Sequence, residues 1–303
     1  MVLYHPTAPE HFLMRNALLQ TCLRPDPLPF TIEREYPIAL APENARFSYC
    51  MKDGERFCSH ANLWPRDVVD AQGRELFRLG LVGNVATDPE LQGKGYMRIL
   101  LSSLEKLALE QGLAALVLWS DLETFYHKLG YTSVGSEWHF HFLPRAYPSR
   151  LQLEEWDPNV LTDPMLHHCL ALRYPLPAQL KRDITEYRKL LGIPWLNLFV
   201  ALEDRQLKAY AFMGKGYDMM GVVHEWGAQH PQDLLSLLHY AGLQYQYEQV
   251  MLLAPGSLDE GWQKGFEAQA HASEKVPMAW AKTLSAERPS SLDQLFIWGL
   301  DSI

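Results

Sequence analysis

Two short stretches of this 303-residue chain combine residue types that could do chemistry. The first is Gln92-Gly93-Lys94-Gly95-Tyr96-Met97-Arg98. From it onward, Met97, Leu100, Leu101, Leu104, Leu107 and Ala108 fall at helical spacing. A helix N-terminus leaves several backbone N–H groups unpaired and carries roughly half a positive charge. Glycines ahead of it let those donors converge on an anion with no Cβ in the way. The stretch is not a Walker loop, because its lysine lies between the glycines and Tyr96 stands where Ser or Thr should follow. Nor is it a Rossmann fingerprint, because Arg98 holds the third glycine position. Taken alone, Gly-Lys-Gly reads as a tight turn. The second stretch is Phe125-Tyr126-His127-Lys128-Leu129-Gly130-Tyr131. A phenol of pKa about 10 keeps its proton at neutral pH and can donate it, although a tyrosine beside a phenylalanine also reads as core. Asp121, Glu123, His127 and His139 are candidate bases by chain position; each also reads as solvated or structural. Glu137, His139 and His141 alternate on one strand face, but no third-ligand pattern accompanies them, so no metal is expected.

These residues need elements to hold them. Glu75–Thr87 reads as a long strand stopped by Asp88-Pro89-Glu90. The helix behind the glycines ends at Gln111-Gly112, and Leu113–Trp119 is a short buried strand. Strand, glycine turn, helix and strand make a βαβ unit with a parallel pair. Glu123–Leu129 reads as a short helix capped by Gly130, and Tyr131–Phe142 as one further strand. Upstream, Arg46–Cys50 and Arg56–Leu63 flank a hairpin turn at Lys52-Asp53-Gly54-Glu55, after a helix at Pro9–Cys22 and a helical turn at Glu43–Arg46.

A proline-bearing stretch between Leu143 and Asp157 suggests a boundary, giving domains 1–147 and 148–303. The second half repeats the order of elements. Helices are expected at Leu161–Leu172 and Pro177–Leu191, strands at Trp195–Leu202, Gln206–Met213 and Gly221–Ala228, a helix at Pro231–Ala241 and a strand at Glu248–Leu253. The alternative is an unrelated α/β domain. The turn Gly227-Ala228-Gln229-His230-Pro231 lacks paired glycines, so the second domain is expected to have no cofactor loop. The fold class is mixed-sheet α/β.

Composition limits the functions. The formal charge of −9 and pI near 5.7 disfavour nucleic-acid binding, which needs a basic surface. Four cysteines with no Cys-x-x-Cys spacing exclude a disulfide scaffold, a zinc ribbon and a thioredoxin-type site. Pro6, Pro9, Pro25 and Pro27 leave no signal-type apolar core at the start, and no run approaches the roughly 20 apolar residues of a membrane span. A cytoplasmic protein without membrane or nucleic-acid partners is expected.

The two stretches also occur in a familiar order. Val85-Ala86-Thr87-Asp88-Pro89-Glu90-Leu91-Gln92-Gly93-Lys94-Gly95-Tyr96-Met97 resembles the acetyl-CoA loop of the GNAT acyltransferase superfamily. Phe125 to Tyr131 resembles its second signature, an aromatic-Tyr-x-x-x-Gly-aromatic turn. The resemblance covers about Phe47 to Phe142. It implies a GNAT fold with acetyl-CoA as co-substrate. It places the pyrophosphate on Gln92, Gly93, Lys94, Gly95, Tyr96, Met97 and Arg98, and the pantetheine arm along Val85, Ala86 and Thr87. It makes Tyr126 the general acid for the departing thiolate. Met97 departs from the pattern, which has a small residue there. The two-domain layout resembles the tandem Eis-type acetyltransferases and, more distantly, mycothiol synthase. In the Eis-type group Ser120-Asp121-Leu122-Glu123 stands at the turn before the tyrosine, which adds Ser120 to the cofactor-binding set. That group uses its final carboxylate as base; Ile303 ends an earlier domain here, so the resemblance does not carry that role to it. The expected activity is acetyl transfer to a primary amine of a small molecule or peptide. The rival reading is a non-catalytic CoA-binding or sensor protein. Transfer to a hydroxyl, or a tRNA-dependent ligase, fits less well. Thiol release from acetyl-CoA with a panel of amines separates them.

Overall fold

The computed structural model describes residues 3–24 and 27–303; Met1, Val2, Pro25 and Asp26 lie outside the described residues, and with them the proline expected at Pro25. The chain forms two compact units. One comprises Met1–Val134, Ala279–Leu292 and Ile303; the other comprises Gly135–Met278 and Asp293–Ser302.

The first unit holds strands β1 (Leu3–Tyr4), β2 (Ser48–Asp53), β3 (Arg56–Val69), β4 (Glu75–Thr87), β5 (Ala115–Leu118) and β6 (Thr132–Val134). Its helices are α1 (Pro9–Leu23), α2 (Ile32–Glu35), α3 (Tyr96–Glu110) and α4 (Glu123–His127). The second holds β7 (Glu137–Phe142), β8 (Gln152–Trp156), α5 (Asp163–Leu172), β9 (Gln179–Leu180) and α6 (Ile184–Leu191). It continues with β10 (Asn197–Glu203), β11 (Gln206–Met213), β12 (Val222–Ala228), α7 (Pro231–Gln244), β13 (Val250–Pro255), α8 (Glu260–Glu267) and β14 (Ala272–Val276). The chain then returns to the first unit as β15 (Ala279–Thr283).

The first sheet runs β1-β2-β3-β4-β5-β15-β6 and the second β8-β10-β11-β12-β13-β7-β14. Each contains one parallel pair, β4 with β5 and β12 with β13, and its other neighbours along these paths are antiparallel. A parallel neighbour needs a crossover, and the crossover is α3 in one sheet and α7 in the other. The two sheets therefore share one topology, the duplicated mixed α/β architecture.

The structure divides the chain differently from the expected boundary at 147/148. The run Tyr131–Phe142 is two strands, because Gly135 takes a left-handed φ of 60° between them. β6 stays in the first sheet and β7 pairs with β13 in the second. β15 in turn fills the slot between β5 and β6. The expected helix Pro177–Leu191 begins only at Ile184, where Asp183 caps it through the Glu186 N–H at 2.7 Å. β3 runs on past Leu63 through Pro65 to Val69, paired along β4 with Pro65 opposite Gly80.

The core that supports the loop is laid down by α3. Leu100, Leu101, Leu104 and Ala108 are buried against Ala61, Leu63, Val82 and Leu116 of the sheet. Each buried leucine contributes about 1.5–3 kcal/mol. Residues 1–147 expressed alone would contain β5 and β6 without the strand between them. Such a fragment should show no cooperative unfolding transition by circular dichroism. A sharp two-state melt would mean that β15 is dispensable.

Candidate functional site

β4 and β5 pair only over Leu79–Leu81 with Ala115–Val117. β4 continues to Thr87, so the two strands part after Leu81. A bulge marks the parting: the register with β3 shifts between His60 and Asn62, and Asn84 is left-handed at φ 47°. At the end of β4, Asp88 N–H donates to Cys58 O at 2.9 Å. Ladder alternation then turns the Thr87 N–H and C=O toward the open edge. Ala86 is turned the other way, its carbonyl accepting from Ser59 Oγ at 2.9 Å. Val85 packs half-buried on the α3 core.

Asp88 caps the turn Pro89–Leu91 through the Glu90 N–H at 3.0 Å. Gln92 Nε2 reaches back to Thr87 O at 3.4 Å and closes the loop. Gly93 and Gly95 take φ of 78° and 81°, and a Cβ on either would meet nothing within 4 Å. That is open backbone in a conformation that favours glycine. Ile99 N–H, donating to Gly95 O at 3.3 Å, starts the α3 ladder, so the N–H groups of Tyr96, Met97 and Arg98 have no helical acceptor. The first turn of α3 holds no acidic residue. Lys94 and Arg98 are exposed at the loop, Tyr96 is buried beneath it, and Met97 packs half-buried on the core. Met97 thus points away while its N–H remains a donor. The arrangement is a cradle for an anion.

Beyond β5, Ser120 Oγ accepts from Leu122 N–H at 3.1 Å and starts the turn into α4. Its carbonyl accepts from Trp280 Nε1 at 3.1 Å, which ties the turn to β15. Tyr126 is buried on α4, edge-on to Phe125 and Tyr131 at 5.1 and 5.5 Å between ring centres. Burial raises its pKa, and the Ser120 hydroxyl opposes part of that rise. Tyr126 therefore holds its proton at neutral pH. Ser120, expected among the cofactor-binding residues, organises the tyrosine.

Of the candidate bases, Asp121, Glu123 and His127 are exposed. His139 belongs to β7 of the second sheet, where its Nε2 meets Glu137 Oε1 at 2.8 Å. Among the described residues, no group of three or more His, Cys, Asp or Glu could hold a metal ion, and no helix is long and apolar enough to cross a membrane.

Sequence reasoning passed over other groups at the fork. Gly83 faces Ile303: a Cβ there would lie 2.6 Å from Ile303 Cγ1 and 2.8 Å from its carbonyl carbon. Buried His60 and Asn62 stand two residues apart on β3.

In the second unit the corresponding helix start is built otherwise. α7 has Pro231 in its first turn, which removes an N–H, and Asp233 buried in that turn, which adds a negative charge. Gly227 is not left-handed. A proline and a carboxylate stand here where the α3 start has free N–H groups and no acidic residue.

Residues 6–134, under half of the chain, match a family model described as "Acetyltransferase (GNAT) domain". Solved structures are similar over nearly the whole chain. A GCN5-related N-acetyltransferase from Anabaena variabilis is 15% identical, with TM-score 0.64, over 94% of this chain and 73% of its own. Eis1 from Mycobacterium abscessus is 10% identical, with TM-score 0.60, over 95% and 75%. A tandem GNAT protein from the clavulanic acid biosynthesis pathway is 13% identical, with TM-score 0.55, over 94% and 98%. At such identities the likeness is one of fold, and the fold is a tandem GNAT. No curated protein matches the chain in sequence.

Gly95→Asp would force a side chain into φ 81° and set a carboxylate at the anion cradle. Affinity for CoA, measured by calorimetry, should fall at least roughly tenfold while the melting temperature changes little. Parental affinity in this variant would remove the loop from the site.

Proposed function

We propose that this protein is an acyl-CoA-dependent N-acyltransferase that moves an acetyl group from acetyl-CoA to a primary amine of a small molecule or peptide. The observation that carries the reading is the open, left-handed Gly93–Gly95 turn at the α3 start, beside the edge that β4 frees after Leu81. The residues fit the co-substrate. Backbone N–H groups from Gly93 to Arg98 would hold the pyrophosphate, with Lys94 and Arg98 adding charge. The outward N–H and C=O of Thr87, with Val85 beside it, would pair with the pantetheine amides. When bound, acetyl-CoA supplies the acetyl group as a thioester with a thiol leaving group. The chain supplies position and a proton: Tyr126, kept protonated by burial and set by the Ser120 turn, holds that proton at Oη for the departing sulfur.

Tyr126→Phe keeps the ring and its edge contacts. Turnover should fall about 10²–10⁴-fold with CoA affinity unchanged. Parental turnover would make Tyr126 a packing residue. A parent that binds CoA but releases no thiol with any amine would favour the sensor reading.

The second unit is proposed to bind no CoA of its own, because Pro231 and Asp233 spoil the α7 start. Calorimetry should give one CoA per chain, and two would contradict this.

A further inference from the structure

Three neighbouring strands of the first unit carry buried polar atoms that have no hydrogen-bond partner among the described residues. These are Ser48 Oγ on β2, His60 Nε2 with Asn62 Oδ1 and Nδ2 on β3, and Asn84 Oδ1 on β4. Ser48, His60 and Asn62 are 0% exposed and Asn84 is 6% exposed. Such groups are costly to bury unpaired, and native cores hold few of them. A cluster of them on one patch therefore calls for a polar occupant.

The register places the patch. Asn62 stands opposite Ser48 on one side and Gly83 on the other, and His60 stands opposite Cys50 and Ala86. Alternation puts His60 and Asn62 on one face of β3. On that face Ala86 packs with Leu19 of α1 and Ile32 of α2. Ala61 and Leu63 take the opposite face, with α3. The patch is thus on the α1–α2 side of β4, level with the Asn84 bulge.

The chemistry of the patch is readable atom by atom. His60 Nδ1 lies 2.8 Å from Asn84 O, which can only accept, so Nδ1 carries the proton and Nε2 presents a lone pair. Burial keeps the ring neutral, lowering its pKa to about 3. The unpaired acceptors His60 Nε2, Asn62 Oδ1 and Asn84 Oδ1 offer more lone pairs than Asn62 Nδ2 and the Ser48 hydroxyl have hydrogens. The excess of acceptors suits a group rich in N–H.

We propose that His60 and Asn62 form the acceptor subsite of the transfer, receiving the N–H groups of the acceptor amine on His60 Nε2 and Asn62 Oδ1. This rests on the transferase reading above and adds the residues that hold the second substrate.

The test uses the full chain, acetyl-CoA, and tyramine, putrescine and glycinamide as probes, with thiol release as the signal. Asn62→Leu is close in volume and removes both unpaired atoms of the side chain. It should leave the melting temperature equal or higher and CoA affinity unchanged, while KM for the amine rises at least roughly tenfold. His60→Gln, which keeps a donor for Asn84 O, should move KM in the same direction. Parental KM in both variants would overturn the subsite and leave the transferase reading intact. Joint loss of melting temperature and CoA affinity in both would make the pair structural and overturn it too. A parent that releases no thiol with any probe would sink the transferase reading, and the subsite with it.

Discussion

The structure depends on one opening in a sheet. Parallel pairing of β4 with β5 stops at Leu81, yet β4 runs six residues further. A sheet does not leave a backbone edge unpaired inside a domain without a reason, since each lost N–H···O bond costs free energy. Here the bulge at Asn84 bends β4 away from β5, and the loop from Asp88 to Gly95 sets the start of α3 beyond the strand end. A strand edge and a helix end with free donors are thereby presented together. An extended amide-bearing chain with an anionic end satisfies both sets of groups, so the site is a demand of the backbone before any side chain is considered.

The second sheet shows what the same topology does when that demand is cancelled. β12, α7 and β13 repeat the crossover, but Pro231 and the buried Asp233 stand where free N–H groups would otherwise point outward. One helix start has free donors and no acidic residue and the other has a proline and a carboxylate, although the backbone path is the same. Duplication has preserved the architecture, which apolar patterning dictates, and has not preserved the termini, where single residues decide the electrostatics.

Much of this was legible in the sequence. The bounds of β4, Glu75–Thr87, were read correctly, because a long apolar run closed by Asp-Pro admits few alternatives. The glycine pair and the tyrosine turn were read from local chemistry, and local chemistry is what builds them: left-handed Gly93 and Gly95, and Ser120 capping the turn before α4. What failed was anything decided at long range. No pattern says that β15 enters between β5 and β6, or that Gly135 ends one strand and lets the next join another sheet. His60 and Asn62 were invisible for the same reason. Polar residues in a strand read as its solvent face until tertiary packing shows that face covered by α1 and α2.

Long-range charge pairing also explains why Asp293–Ser302 is part of the second unit. Arg182 is fully buried and makes bidentate bonds to Glu225 at 2.8 and 2.7 Å and to Asp301 at 3.0 and 2.6 Å. Lys215 Nζ is buried against the carbonyls of Gly299 and Ser302. Burial lowers its pKa to about 7. Buried ion pairs gain little over apolar packing, but loss of one partner strands the other at a cost of about 3–5 kcal/mol. The network thus contributes less to stability than to uniqueness. Without Asp301, Arg182 would keep one carboxylate, and without residues 299–302 Lys215 would lose these carbonyl acceptors. Any alternative path for the segment leaves a cation short of acceptors in the core. That penalty adds to the burial of Leu295, Phe296, Ile297, Trp298 and Leu300 in holding the segment in one place.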